Sequence, residues 1–173
     1  MERLLEGHEV FRGRMLALRV DTVTTPSGLT ATREVVDHPG AVAVVAQEPG
    51  GCLVLVGQYR YAVGEELLEI PAGKIDPGED PECTARRELE EETGYKAGTI
   101  RKVLSFYTSP GFSNEVIHLY FAQDLARGCA SPGSDEEVVV HLLSPERALE
   151  MVACGEIRDA KTVTGILLWA RLP

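Results

Sequence analysis

Residues 73–95, "GKIDPGEDPECTARRELEEETGY", constrain this chain more than any other stretch. Two glycines and two prolines surround Asp76 and Glu79, a composition that suits a fixed loop better than a flexible linker. Asp80 then suits a helix N-cap, Pro81 the first helical position and Gly94 the stop. Ala85 and Leu89, four residues apart, give that helix an inward stripe. Eight acids meet only three bases here, and Glu88, Glu90, Glu91 and Glu92 crowd together. Residues three and four apart share a helix face, so Glu88, Glu91 and Glu92 project from one side and Glu90 points elsewhere. Arg87 pairs with Glu91 at a spacing of four, which leaves Glu88 and Glu92 facing each other. A solvated acidic face is one reading. The other is a site for a hard divalent cation such as magnesium, which takes carboxylate and carbonyl oxygens. The loop favours the second, because it holds backbone carbonyls beside the acidic face.

The rest of the chain reads mostly as strands. Residues 10–37 alternate partially around the turn "PSG", as a hairpin or small antiparallel sheet ahead of the main core. "AVAVVA" (41–46) and "CLVLVGQYRY" (52–61), split by "QEPGG", form a strand–turn–strand pair. "ELLEIPAG" reads as a short strand ending at Pro71. Beyond the acidic helix, "TIRKVLSFYTS" and "VIHLYFAQDL" are strands flanking the loop "PGFSNE". After the polar loop 129–137 come the strand "VVVHLLS" and two helices, "SPERALEMVACGE" and "AKTVTGILLWARL". The fold class is α+β, a mixed β-sheet packed between helices.

At 173 residues the chain is long enough for one full core. Its net charge of −10 excludes a nucleic-acid binder, whose affinity rests on neutralised phosphates. An acidic protein still accepts a small anionic substrate when a bound cation reverses the local field. Cys52, Cys83, Cys129 and Cys154 show no metal-ligand spacing and read as buried reduced thiols. No signal peptide and no apolar run of about 20 residues is visible, so no membrane contact and a cytoplasmic location are expected.

The acidic stretch resembles the Nudix box, G-x5-E-x7-R-E-U-x-E-E-x-G-U, where U is a bulky apolar residue. Gly73, Glu79, Arg87, Glu88, Leu89, Glu91, Glu92, Gly94 and Tyr95 fill its nine specified positions. Only Tyr95 departs, being aromatic where an aliphatic is commoner. The resemblance implies a Nudix-like sheet sandwiched between helices and hydrolysis of a nucleoside diphosphate linked to another moiety. It also implies magnesium, with manganese as a substitute, on Glu88, Glu92 and the carbonyl of Ala72. Glu91 pairs with Arg87 or joins the metal site, and Glu79 supports the loop.

More of the chain resembles the ADP-ribose pyrophosphatase branch. Pro110 lies 15 residues past Tyr95. The segments "TREVVDHPGAVAVV", "GQYRY", "SPGFSNE" and "DAKT" extend the resemblance over most of residues 10–165. It implies that Arg60 and Arg33 bind substrate phosphates, that Glu115 takes part in metal or substrate binding, and that Lys161 binds substrate or steadies the acids. The water-activating acid of that branch falls on Glu136. A one-residue shift promotes Asp135 or Glu137, because Ser134 stands where an acid-x-acid pattern begins. For the adenine the chain offers only Phe11 as an aromatic before Tyr59, and Trp169 reads as core. The branch also implies a homodimer through an N-terminal sheet segment, residues 1–38, with the hydrolase domain at 39–173. ADP-ribose, another nucleotide sugar such as a GDP- or UDP-hexose, and a non-catalytic metabolite-binding regulatory module are the candidate functions.

Overall fold

The computed structural model describes residues 1–131 and 137–171. It divides into two compact units, one of Met1–Gly40 with Phe106–Ile117 and one of Ala41–Ser105 with His118–Pro173.

The first unit is a three-stranded antiparallel sheet in the order β1 (Arg3–Arg12), β2 (Ala17–Thr24), β3 (Thr30–Asp37). Gly28, at φ 83°, closes the "PSG" turn by donating its N–H to Thr25 O at 2.9 Å. An L side chain avoids that left-handed conformation. The strand pattern read from residue 10 starts earlier, at Arg3. Pairing with β2 fixes β1, and register shifts within the pair scramble the alternation that a sequence reading depends on. The segment 106–117 joins this unit through Val36, whose N–H donates to Phe112 O at 2.7 Å.

In the second unit a mixed sheet runs β10 (Val138–Leu143), β5 (Leu53–Arg60), β4 (Ala41–Gln47), β9 (Val116–Arg127), β8 (Tyr95–Tyr107). Two short strands attach to it, β6 (Glu65–Glu69) to β5 and β7 (Ala72–Lys74) to β4. The helices are α1 (Pro81–Thr93), α2 (Pro145–Cys154) and α3 (Ala160–Trp169). On one side of β4, Val42, Val44 and Ala46 pack with Ala85 and Leu89 of α1. On the other side Gly165 of α3 lies so near Val45 that an added Cβ would come within 2.8 Å of its Cγ2. A strand covered on both faces has no reason to alternate, which is why "AVAVVA" is apolar throughout. Leu89, fully buried, contributes roughly 2 kcal/mol to holding α1 on the sheet.

"ELLEIPAG" is two strands, not one. β6 stays on β5 and β7 crosses to β4, with Ile70 and Pro71 between them. Pro71 has no N–H for a ladder, but its carbonyl accepts from Val44 N at 2.8 Å and steers the chain across. β8 begins at Tyr95, immediately after the helix stop and earlier than the run from Thr99 indicates. Two further expectations are corrected. Cys83, Cys129 and Cys154 are exposed and Cys52 half-buried; at the surface, small polar neighbours leave no sequence trace of an open position. Trp169 is only half-buried, on the rim of a surface cavity of about 390 Å³ shared with Arg101 and Phe121, because it is the last residue of α3. Among the described residues no helix is long and apolar enough to cross a membrane.

Candidate active site

The Asp80 side chain accepts from Glu82 N at 2.9 Å and Cys83 N at 3.3 Å, fixing the start of α1. Gly94 ends the helix at φ 72° and donates to Glu90 O at 2.8 Å. Between these caps the acids separate as their spacing requires. Glu90 turns away to Lys96, at 3.1 Å, while Glu88, Glu91 and Glu92 share the opposite side.

Arg87 organises that side. Its Nε and Nη2 donate to the two carboxylate oxygens of Glu79, at 3.1 and 2.9 Å. Its Nη1 donates to Glu88 Oε1 at 2.8 Å and Glu91 Oε2 at 2.9 Å. The planar guanidinium is suited to a fork of this kind. The Arg87–Glu91 pair expected from the spacing is therefore present, with Glu79 and Glu88 added to it. The Arg87 hydrogen bond holds the Glu79 carboxyl down to about 2, and the same contact raises Arg87 further above its already high value. Glu79 thus stays ionised, and tied to the helix, at any pH above about 2. The loop is clamped to α1 by charge as well as by its prolines.

Beneath the acids lies β7. Its pairing with β4 (Ala43 opposite Ala72, Val42 opposite Gly73) brings the Ala72–Gly73 backbone against α1. Ala72 N donates to Glu92 Oε2 at 3.2 Å, and Glu92 is only 6 % exposed. The Glu88 carboxyl sits directly over Gly73, where an added Cβ would overlap it. The Glu88 side chain is only 14 % exposed.

A second charged cluster lies at the end of β6. Glu69 receives Arg60 through Nε at 2.6 Å and Nη2 at 2.7 Å. Lys161 also reaches Glu69, and pairs with Asp159 at 3.1 Å. Glu69 contributes most to raising Arg60, with the charge of Glu92 adding to it, so this cluster and the α1 acids feel one another. Nothing in the sequence pattern singled out Glu69. The available signal was an acid at the inward end of an otherwise apolar run, "LLEIP".

The other candidates fall in different places. Arg33 and Glu115 belong to the first unit. There Arg33 pairs with Glu2, and Glu115 accepts from Thr108 Oγ1 at 2.6 Å with His38 Nδ1 at 3.6 Å. Glu136 and Asp135 lie outside the described residues, and Glu137 is exposed just ahead of β10.

The residues present fit a hard divalent cation. Their donors are oxygens, the carboxylates of Glu88 and Glu92 one helical turn apart, and the Gly73 cradle is kept open for the Glu88 carboxyl. Among the described residues no three Asp, Glu, His or Cys side chains already converge as a ligand set. The backbone and a bound phosphate would therefore have to complete a cation's shell.

Comparison with known proteins agrees with this geometry. The family model of the NUDIX domain matches residues 36–164. The chain is 45 % identical over 167 residues to a protein of Bacillus methanolicus named methanol dehydrogenase activator, covering 95 % of this chain and 90 % of that one. It is 42 % identical over 167 residues to the ADP-ribose pyrophosphatase of Bacillus subtilis strain 168, with the same 95 % and 90 % coverage. The crystal structure of an ADP compounds hydrolase superposes with a TM-score of 0.87 over 98 % of this chain and 92 % of that one, and at 20 % identity it speaks for the fold alone. Enzymes of this family generally work with divalent metal ions. The matched region takes in every strand of the larger sheet and every acid of α1, and the chain belongs to the NUDIX domain family.

Proposed function

We propose that this chain hydrolyses the pyrophosphate bond of ADP-ribose, giving AMP and ribose 5-phosphate, or that of a closely related nucleoside diphosphate sugar. The observation that carries the reading is the pair Glu88 and Glu92, one turn apart and sunk against Gly73 and Ala72. The 42 % identity to a protein named ADP-ribose pyrophosphatase supports ADP-ribose as the substrate.

Glu88, Glu92 and the Ala72 carbonyl would hold magnesium, or manganese in its place. Glu91 adds a ligand or stays with Arg87, which keeps the carboxylates apart. Magnesium, when bound, neutralises the diphosphate and favours attack on phosphorus. Arg60 binds the phosphate oxygens through planar, charge-assisted hydrogen bonds, and Arg33 is a second anion-binding residue. Glu115 helps to seat the substrate. Glu136, or Asp135 or Glu137 beside it, takes a proton from water. The water oxygen bonds to one phosphorus, the bridging oxygen leaves with the other phosphate, and the proton returns to solvent. The enzyme works as a cytoplasmic homodimer. β1 is exposed along its whole length, with Leu4, Leu5, Val10 and Phe11 open to a second copy. A monomeric mass by light scattering at micromolar concentration would remove the dimer.

The deciding experiment is a magnesium-dependent screen of ADP-ribose, NADH, dinucleoside polyphosphates and GDP- and UDP-hexoses, ranked by kcat/KM. ADP-ribose is expected to lead by about tenfold or more, a margin of about 1.4 kcal/mol in transition-state binding. A GDP- or UDP-hexose at the head of the ranking would reassign the substrate. Absence of turnover on all of them would favour a regulatory module, the reading to which the relative named as an activator lends specific support.

A further inference from the structure

Glu69 is a carboxylate that a sequence reading passes over, and it occupies an unusual position. It is 1 % exposed at the end of β6, opposite Val56 of β5. A carboxylate removed from water is costly unless it is paired and its oxygens are hydrogen-bonded. Both oxygens are engaged: Oε1 accepts from Arg60 Nε, and Oε2 accepts from Arg60 Nη2 and from Lys161. Burial alone would raise its pKa, but the Arg60 and Lys161 contacts outweigh burial and hold it below the usual range, so it is ionised at neutral pH.

The cluster is anchored from both sides. Asp159 caps α3 by accepting from Thr162 N at 2.9 Å, and Thr162 Oγ1 in turn accepts from Ile70 N at 2.9 Å, next to Glu69 in the chain. The carboxylate is therefore fixed to a buried strand end and a helix start. Arg60, by contrast, has a side chain 39 % exposed. Glu69 takes the Nε and Nη2 edge of the guanidinium, which sets the direction in which its other donors point. Beyond Glu69, the charges of Glu92 and Asp159 also reach Arg60. An Arg60 released from Glu69 would be drawn towards Glu92 and would oppose cation binding there.

We propose that Glu69 is a positioning residue: it holds Arg60 and Lys161 as a pre-aimed pair of cations for a substrate diphosphate and keeps Arg60 off the α1 acids. The proposal rests on the function given above. It assigns Glu69 no contact with the reacting atoms.

Glu69→Gln, which keeps the shape and removes the charge, is expected to lower kcat/KM on ADP-ribose with magnesium about 30-fold, mainly through KM. In a double-mutant cycle with Arg60→Ala, the Glu69 change is expected to add less than about twofold, because the two act as a unit. Fully multiplying losses would show a merely structural role and overturn the proposal. Glu69→Asp, which restores the charge one methylene short, is expected to recover part of the loss, and it serves as the test variant if Glu69→Gln fails to fold. A readout independent of substrate separates this inference from the function it rests on. The Arg60 Nε–H resonance, assigned with Arg60→Lys, is expected to exchange slowly with water in the native protein and to broaden away in Glu69→Gln. An unchanged resonance overturns the proposal. Loss of the resonance in a protein whose native form leaves ADP-ribose intact supports the positioning role and sinks the substrate assignment alone.

Discussion

Glu92→Gln is expected to lower kcat on ADP-ribose about a thousandfold at saturating magnesium, with the fold unchanged. A thousandfold loss is about 4 kcal/mol, the scale of charge stabilisation that a catalytic metal supplies. The fold survives because Glu92 Oε2 accepts from Ala72 N, and a glutamine oxygen can take the same hydrogen bond. What the substitution removes is the charge, on a residue that is only 6 % exposed. Circular dichroism and a thermal midpoint within a few degrees of the native value would establish the intact fold. Calorimetry with manganese would show weakened ion uptake. If Glu92→Gln kept most of its turnover, Glu92 would hold no essential ion, and the acids of α1 would be better described as a solvated face.

Gly73→Ala is expected to lower kcat/KM by about a hundredfold or more while costing the fold little. Elsewhere in the core an added methyl meets packed atoms that have nowhere to go, as at Gly165 against Val45, and overpacking of that kind typically costs about 1–3 kcal/mol. At Gly73 the overlapping atoms are the carboxyl end of Glu88, the tip of a flexible side chain with a second partner in Arg87. The clash is relieved by swinging that carboxyl away from β7. The relief is cheap for stability and expensive for the site, since the displaced group is the proposed cation ligand. Stability by urea denaturation and kcat/KM, measured on one preparation, should therefore diverge. Equal losses in both would mean that Glu88 cannot move and that Gly73 serves packing alone. A variant as active as the native enzyme would show that the position of Glu88 is unimportant.

Much of the site was legible because its spacing obeys the helix. Asp80, Pro81 and Gly94 bound α1 as their side-chain chemistry predicts, and Ala85 and Leu89 face the core. The separation of Glu90 from Glu88, Glu91 and Glu92 follows from the same period. The three-way grip of Arg87 was only partly legible. Its bond to Glu91 is one turn long, but its bond to Glu79 depends on how the loop folds back onto the helix. Glu69 showed in the sequence only as an acid ending an apolar run, and its partners were not legible, since Arg60 lies nine residues away and Lys161 lies 92 residues away. The break of "ELLEIPAG" into β6 and β7 was missed for a similar reason: a short strand is defined by the neighbour it pairs with. Intrinsic β-preference carries little of that information.

The sequence by itself determined the caps, the inward stripe and the order of acids on one helix, together with the family pattern they spell. These are contacts within about a turn of the chain, and helix geometry fixes them without reference to the rest of the molecule. Only the tertiary structure decided that β7 would lie under those acids, so that a missing side chain at Gly73 makes room for the Glu88 carboxyl. It alone also closed Arg60 and Lys161 onto the buried Glu69. A buried charge is tolerable only beside its counter-charge, and which strand end meets which helix start is set by packing the whole sheet.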